Sequence, residues 1–254
     1  MKTKKLIDYI IQSVVLLVLA GLGTTETAFA DEGGYGFLMP PAVFPRDSVV
    51  FGKTYADWSA AWYQWVSSMP ANANPIFDTA TCDTGQSGPV FFLGGKFCRI
   101  GDDKCSPNSF ERSCTVPAGK ALYFPVLNSQ CIDEEAKTDN CSGASAFITQ
   151  MRAIVAGVID PATDLGVTID GKKLKGNLKT DYRVQSTVFT AVLPDDNFLK
   201  AIGENIGAGT YWGVDDGIYV MLQPLHKGSH TINFKGTLPQ YGFSLNATYH
   251  LTVQ

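Results

Sequence analysis

Four stretches of the chain set carboxylates side by side: Asp102-Asp103, Asp133-Glu134-Glu135, Asp195-Asp196 and Asp215-Asp216. Paired acids support two chemistries, acid and base action across a glycosidic bond and calcium binding through hard oxygen ligands. Neighbouring residues point apart on a strand, so most such pairs form turns, begin helices or solvate loops. Asp215 and Asp216 are the calcium candidates, because Gly217 lets the turn expected there close tightly. No run has EF-hand spacing, and no other cofactor is implied. The three histidines do not converge: His230 is in phase with Ile232 and Phe234, His250 falls on the polar side of the last strand, and His226 sits in a turn. A metal pair is therefore not expected. Ser87, between Gln86 and Gly88, has no histidine upstream of it, and no G-x-S-x-G elbow occurs, so a serine nucleophile is not expected either.

All six cysteines lie between Cys82 and Cys141, with no C-x-x-C pair and no histidine at zinc spacing. That crowding reads as a disulfide framework, and spacing alone leaves its connectivity open. We favour Cys98–Cys105 and Cys131–Cys141, each closing a polar loop, with Cys82–Cys114 as the long closure between two strand signals. On chain-entropy grounds the long closure contributes most. The start of the chain agrees with an oxidising destination. Lys2, Lys4 and Lys5 precede an apolar run, Val14 to Leu22, and Ala28-Phe29-Ala30 is a cleavage signal. Residues 1–30 read as a signal peptide and 31–254 as a single mature domain, secreted or periplasmic, without stable membrane insertion once the signal is cleaved.

The elements that must position any site follow from periodicity. Thr54 and Asp57 offer a capping box, and Trp58, Trp62, Trp65 and Met69 recur on one helical face, predicting a helix over about 54–68 that Pro70 ends. Three indoles on one face suggest a sugar platform, but apolar stripes at this spacing are buried as a rule, and burial is the expectation. Ser59, Gln64 and Ser67 should face away. A second helix is predicted over 144–159 from Phe147, Met151, Ile154, Val155 and Val158.

Elsewhere the period is two. Pro89 to Leu93 and Ala121 to Leu127 are strand signals, Asp170-Gly171 marks a hairpin, and 182–191 reads as a central strand. Tyr211 and Trp212 lead into the expected turn at Asp215-Asp216-Gly217, Ile218 to Leu222 follows, and Phe243 to Val253 alternates to the end. The fold class expected is mainly β: an antiparallel, jelly-roll-like β-sandwich with two inserted helices, stabilised by disulfides.

Trp58-x-x-x-Trp62-x-x-Trp65, Gln86 to Leu93, Arg112 to Leu122 with Phe124-Pro125, and His230 to Phe234 resemble a group of secreted bacterial proteins, hypothetical proteins with no assigned activity. The resemblance spans most of the mature chain. It implies export from a bacterium and supplies no site residues.

Twenty Lys and Arg against 24 Asp and Glu, a net charge of −4, argue against a nucleic-acid partner. The function expected is a secreted binding or cell-surface protein, directed at carbohydrate or an envelope component through loops and exposed aromatics, with Tyr211 and Trp212 as ligand contacts. Two alternatives stand beside it: a glycan hydrolase using paired carboxylates, and a structural assembly subunit. Whether the chain is an enzyme stays open.

Overall fold

The computed structural model describes residues 42–97, 108–133 and 145–254. Cys98, Cys105 and Cys141 lie outside them, and with them the Cys98–Cys105 and Cys131–Cys141 pairings. The described residues form ten strands: β1 Val90–Phe92, β2 Asn108–Val116, β3 Ala121–Asp133, β4 Thr163–Ile169, β5 Lys172–Lys173, β6 Arg183–Gln185, β7 Phe189–Leu193, β8 Gly209–Leu222, β9 Gly228–Leu238 and β10 Phe243–Val253. They make two five-stranded sheets. The first has the order β1-β3-β8-β6, with β7 also on β8; the second is β2-β10-β9-β4-β5.

Period-two burial explains the sandwich. Along β9 and β10 every second side chain is buried, and these residues meet the inward side chains of the first sheet. Phe91, Leu122, Phe124 and Val220 pack against Ile232, Phe234, Ala247 and Leu251, and Phe124 stacks on Phe234 at 4.9 Å. Most pairs are antiparallel, as expected, but each sheet has one parallel pair, β1 with β3 and β10 with β2. The chain leaves the first sheet after β1, runs β2 in the second, and returns as β3. A strand arriving by such a crossover is not bound to the antiparallel sense of a hairpin.

The other face of the first sheet carries helix α1, Tyr55–Ser68, opened by the expected capping box between Thr54 and Asp57. Its tryptophans are buried, and each indole N–H finds a backbone carbonyl: Trp58 on Val50 at 2.9 Å, Trp62 on Leu93 at 2.8 Å, Trp65 on Thr84 at 3.2 Å. Gln64 is exposed as expected, whereas Ser59 and Ser67 are buried, because the helix lies in a trough walled on several sides. Helix α2, Ser145–Ile159, sets Met151 and Val155 on Val214, on the face that the second sheet covers farther along. Two single turns, α3 Leu178–Asp181 and α4 Phe198–Ala201, are capped by the side chains of Asn177 and Asn197.

The hairpin at Asp170-Gly171 forms between β4 and β5, both residues having positive φ (50° and 72°), as a type I′ turn requires. Two of the strand expectations fail. The segment 182–191 is not a central strand but two short edge strands, β6 and β7: α1 packs on one face, whereas Val188 on the other stands exposed. The turn at Asp215-Asp216-Gly217 does not exist; these residues lie inside the continuous strand β8.

Candidate functional site

Because Asp215 and Asp216 sit mid-strand, the alternation of β8 sends their side chains to opposite faces of the first sheet. Asp215 points at α1 and is fully buried. Ser59 of α1 donates to its Oδ1, and the Tyr219 hydroxyl lies 2.9 and 3.0 Å from its two oxygens. The Asp215 amide donates to Ser186 Oγ at 2.8 Å, while Asn128 Nδ2 donates to the Tyr219 hydroxyl at 3.0 Å. Tyr63, one turn on from Ser59, donates to Gln130 Oε1, and Tyr123 stacks on Tyr219 at 5.2 Å.

Burial pushes the Asp215 carboxyl well above the ordinary carboxylate range, outweighing the hydrogen bonds that favour its charge. Burial likewise raises the phenols of Tyr63, Tyr123 and Tyr219, with the charge of Asp215 adding to it. Burial thus shifts this acid toward its neutral, protonated form. These atoms are sealed between helix and sheet, so their work is to fasten α1.

On the opposite face Asp216 receives Arg183 Nε at 2.9 Å and Nη2 at 3.1 Å, a two-pronged pair, and Gln185 Nε2 at 3.0 Å. Arg183 Nη1 also reaches Asp160 at 2.6 Å. The two calcium candidates thus do not converge, and no group of three or more His, Cys, Asp or Glu side chains gathers among the described residues.

The other polar constellations are matched within the fold except at two buried guanidinium nitrogens, Arg112 Nη2 and Arg152 Nη1, which have no hydrogen-bond partner. His230 is buried between Asp170 Oδ2, 2.7 Å from Nδ1, and the His226 carbonyl, 2.9 Å from Nε2, while His250 lies exposed on the other face of the second sheet beside Glu111. Arg112 pairs with Asp78 at 2.6 Å and donates to the carbonyls of Gly94 and Gly95 and to the Tyr249 hydroxyl. Ser87 is exposed. Cys82 and Cys114 are joined, as expected, tying the loop before β1 to β2. Cys131 forms no disulfide with a described residue.

The two aromatic candidates part company. Tyr211 is buried under α1, its hydroxyl donating to the Gly207 carbonyl at 2.9 Å, so it is not a surface contact. Trp212, one residue on, faces outward and is 36% exposed. Thr190 of β7 lies beside it on one side and Asp133 of β3 on the other, and the exposed Val188 and Val192 continue the patch. A flat indole flanked by a hydroxyl and a carboxylate can stack on the apolar face of a ring while hydrogen-bonding its rim. Sequence reasoning missed Ser59, Tyr63, Gln130 and Tyr219; their one readable signal was the i, i+4 repeat of Tyr55, Ser59 and Tyr63 on α1.

No family model matches the chain, and no curated protein matches it. Among solved structures it is similar to one described as the structure of PbICP-C in complex with falcipain-2, at 9% identity and a TM-score of 0.27. It is similar to another described as the solution structure of Amebosin, at 10% identity and a TM-score of 0.20. Each match covers 66% of this chain and 100% of the other. Likeness at these scores carries no argument about function.

Proposed function

We propose that this is an exported binding protein that engages carbohydrate, or another envelope component displaying it, through the face centred on Trp212. One observation carries the reading. Trp58, Trp62 and Trp65 are buried with their N–H groups satisfied, whereas Trp212 stands in solvent on a sheet face beside Thr190, Val188 and Val192. An exposed indole on a rigid central strand gives up little conformational entropy on stacking, which is why such residues anchor binding surfaces. The disulfide supports an oxidising destination, and the basic, apolar and A-x-A segments of residues 1–30 support export.

The test is retention on a glycan array and on purified cell-wall material. Wild type should be retained on at least one glycan class, and Trp212→Ala should lose that retention by tenfold or more, about 1.4 kcal/mol, with an unchanged melting temperature. Equal retention of the two proteins, or none by either, removes the proposal.

A further inference from the structure

Charge is spread unevenly over this chain. The net charge is −4, yet Lys172, Lys173, Lys175 and Lys179 fall within eight residues, and no acid occurs from Gly171 to Thr180. The stretch starts at the Asp170-Gly171 hairpin, forms β5 at the outer edge of the second sheet and runs into α3. Lysines guard many sheet edges against pairing, but β5 is only Lys172–Lys173 and the cluster continues beyond it. Lys227 stands at the same end, in the turn before β9, close to where His230 meets Asp170.

The acids of this corner are turned onto the fold. Asp170 accepts the Thr231 N–H at 2.8 Å and faces His230, and Asp181 accepts the Asn177 N–H at 2.9 Å and the Thr180 hydroxyl at 2.7 Å. Lys173, Lys175 and Lys227 are exposed, and none forms an ion pair with a described residue. Between the lysines the chain is apolar. Leu174 and Leu178 lie among them in sequence and, with Leu165 of β4, stand half-buried along a groove of about 290 Å3. Lys173 and Lys179 line the same groove against one acid, Asp164. Lys179 spends one donor on the Asp160 carbonyl at 2.6 Å and keeps two.

We propose that this corner docks the protein on an anionic phospholipid surface, with the lysines over the phosphate groups and the groove taking the first acyl carbons of a lipid. Charge alone would suit any polyanion. The leucines favour lipid, because a polyphosphate or a sulfated glycan has no apolar part to cover them, whereas binding at a lipid interface draws on apolar contact and attraction to anionic head groups together. Attraction of this kind is screened by salt.

Cosedimentation with vesicles of phosphatidylglycerol and phosphatidylcholine, and with vesicles of phosphatidylcholine alone, tests it. Wild type should bind the mixed vesicles at low salt, bind the neutral ones at least tenfold more weakly, and release the mixed ones as salt rises. Lys173→Gln with Lys175→Gln, both side chains being exposed, should weaken binding about thirtyfold, which is about 2 kcal/mol for two lysines, with an unchanged melting temperature. Trp212→Ala should bind these vesicles as wild type does, so the docking and the glycan reading stand or fall separately. No binding to the mixed vesicles, equal binding to the two kinds, or a double variant that binds like wild type overturns the docking. So does heparin bound as tightly as the mixed vesicles and with the same dependence on the two lysines, which would mark a site for soluble polyanions.

Discussion

Asp215 is a carboxyl group whose burial favours its protonated form, and its proton couples folding to pH. Its proton affinity is higher folded than unfolded, so its contribution is fully present below the ordinary carboxylate range and is lost as pH rises toward its folded pKa. Asp215→Asn keeps the shape and cannot ionise. We expect it to match wild type in urea unfolding at acid pH and to become the more stable of the two as pH rises to neutrality; a gap constant with pH contradicts the shift toward the protonated form. Tyr219→Phe strips a donor from Asp215 and an acceptor from Asn128 while keeping the ring stacked on Tyr123. It should cost about 1–3 kcal/mol in the same assay. None of this was legible from Asp215-Asp216-Gly217, which has the composition of a turn. Gly217 serves another purpose: a Cβ there would lie 2.9 Å from the Leu127 carbonyl and 2.7 Å from Asn128 Cβ, where β3 shifts register against β8. Local turn chemistry lost to tertiary packing.

At the scale of elements, whatever rests on short-range rules could be read directly. The Thr54–Asp57 capping box, the tryptophan stripe, the Asp170-Gly171 hairpin and the alternation of β10 are local patterns, and each formed where expected. Strand placement was less readable, because two-sided apolarity does not distinguish a central strand from an edge strand with a helix on one face and exposed valines on the other. That is how 182–191 came to read as central. Tyr211 and Trp212 show the same limit: period two sends neighbours to opposite faces, so both could not be surface contacts on one strand. The closed loop from Cys82 to Cys114, separated by 32 residues, is the element with the largest covalent effect. The double variant Cys82→Ser, Cys114→Ser should lose about 3–4 kcal/mol of stability in denaturant unfolding. A loss under 1 kcal/mol would place that loop's order in its packing instead.

For the whole molecule, the account divides labour between a polar interior that fastens layers and an outer face that meets other molecules. Asp215, Asp216 and His230 spend their hydrogen-bonding capacity on the fold, and Arg112 does so through Nε and Nη1 while its Nη2 is buried without a partner, leaving the Trp212 face as the exposed surface the proposal rests on. The proposed export is checked by mass spectrometry of the protein recovered from its native host, which should find the mature chain beginning at Asp31. The most direct measurement of the central claim is an amide NMR titration with soluble cell-wall glycan fragments. The account predicts progressive shifts confined to Thr190, Val192, Trp212 and their immediate neighbours. Shifts clustered elsewhere, or none at any glycan concentration, would contradict it.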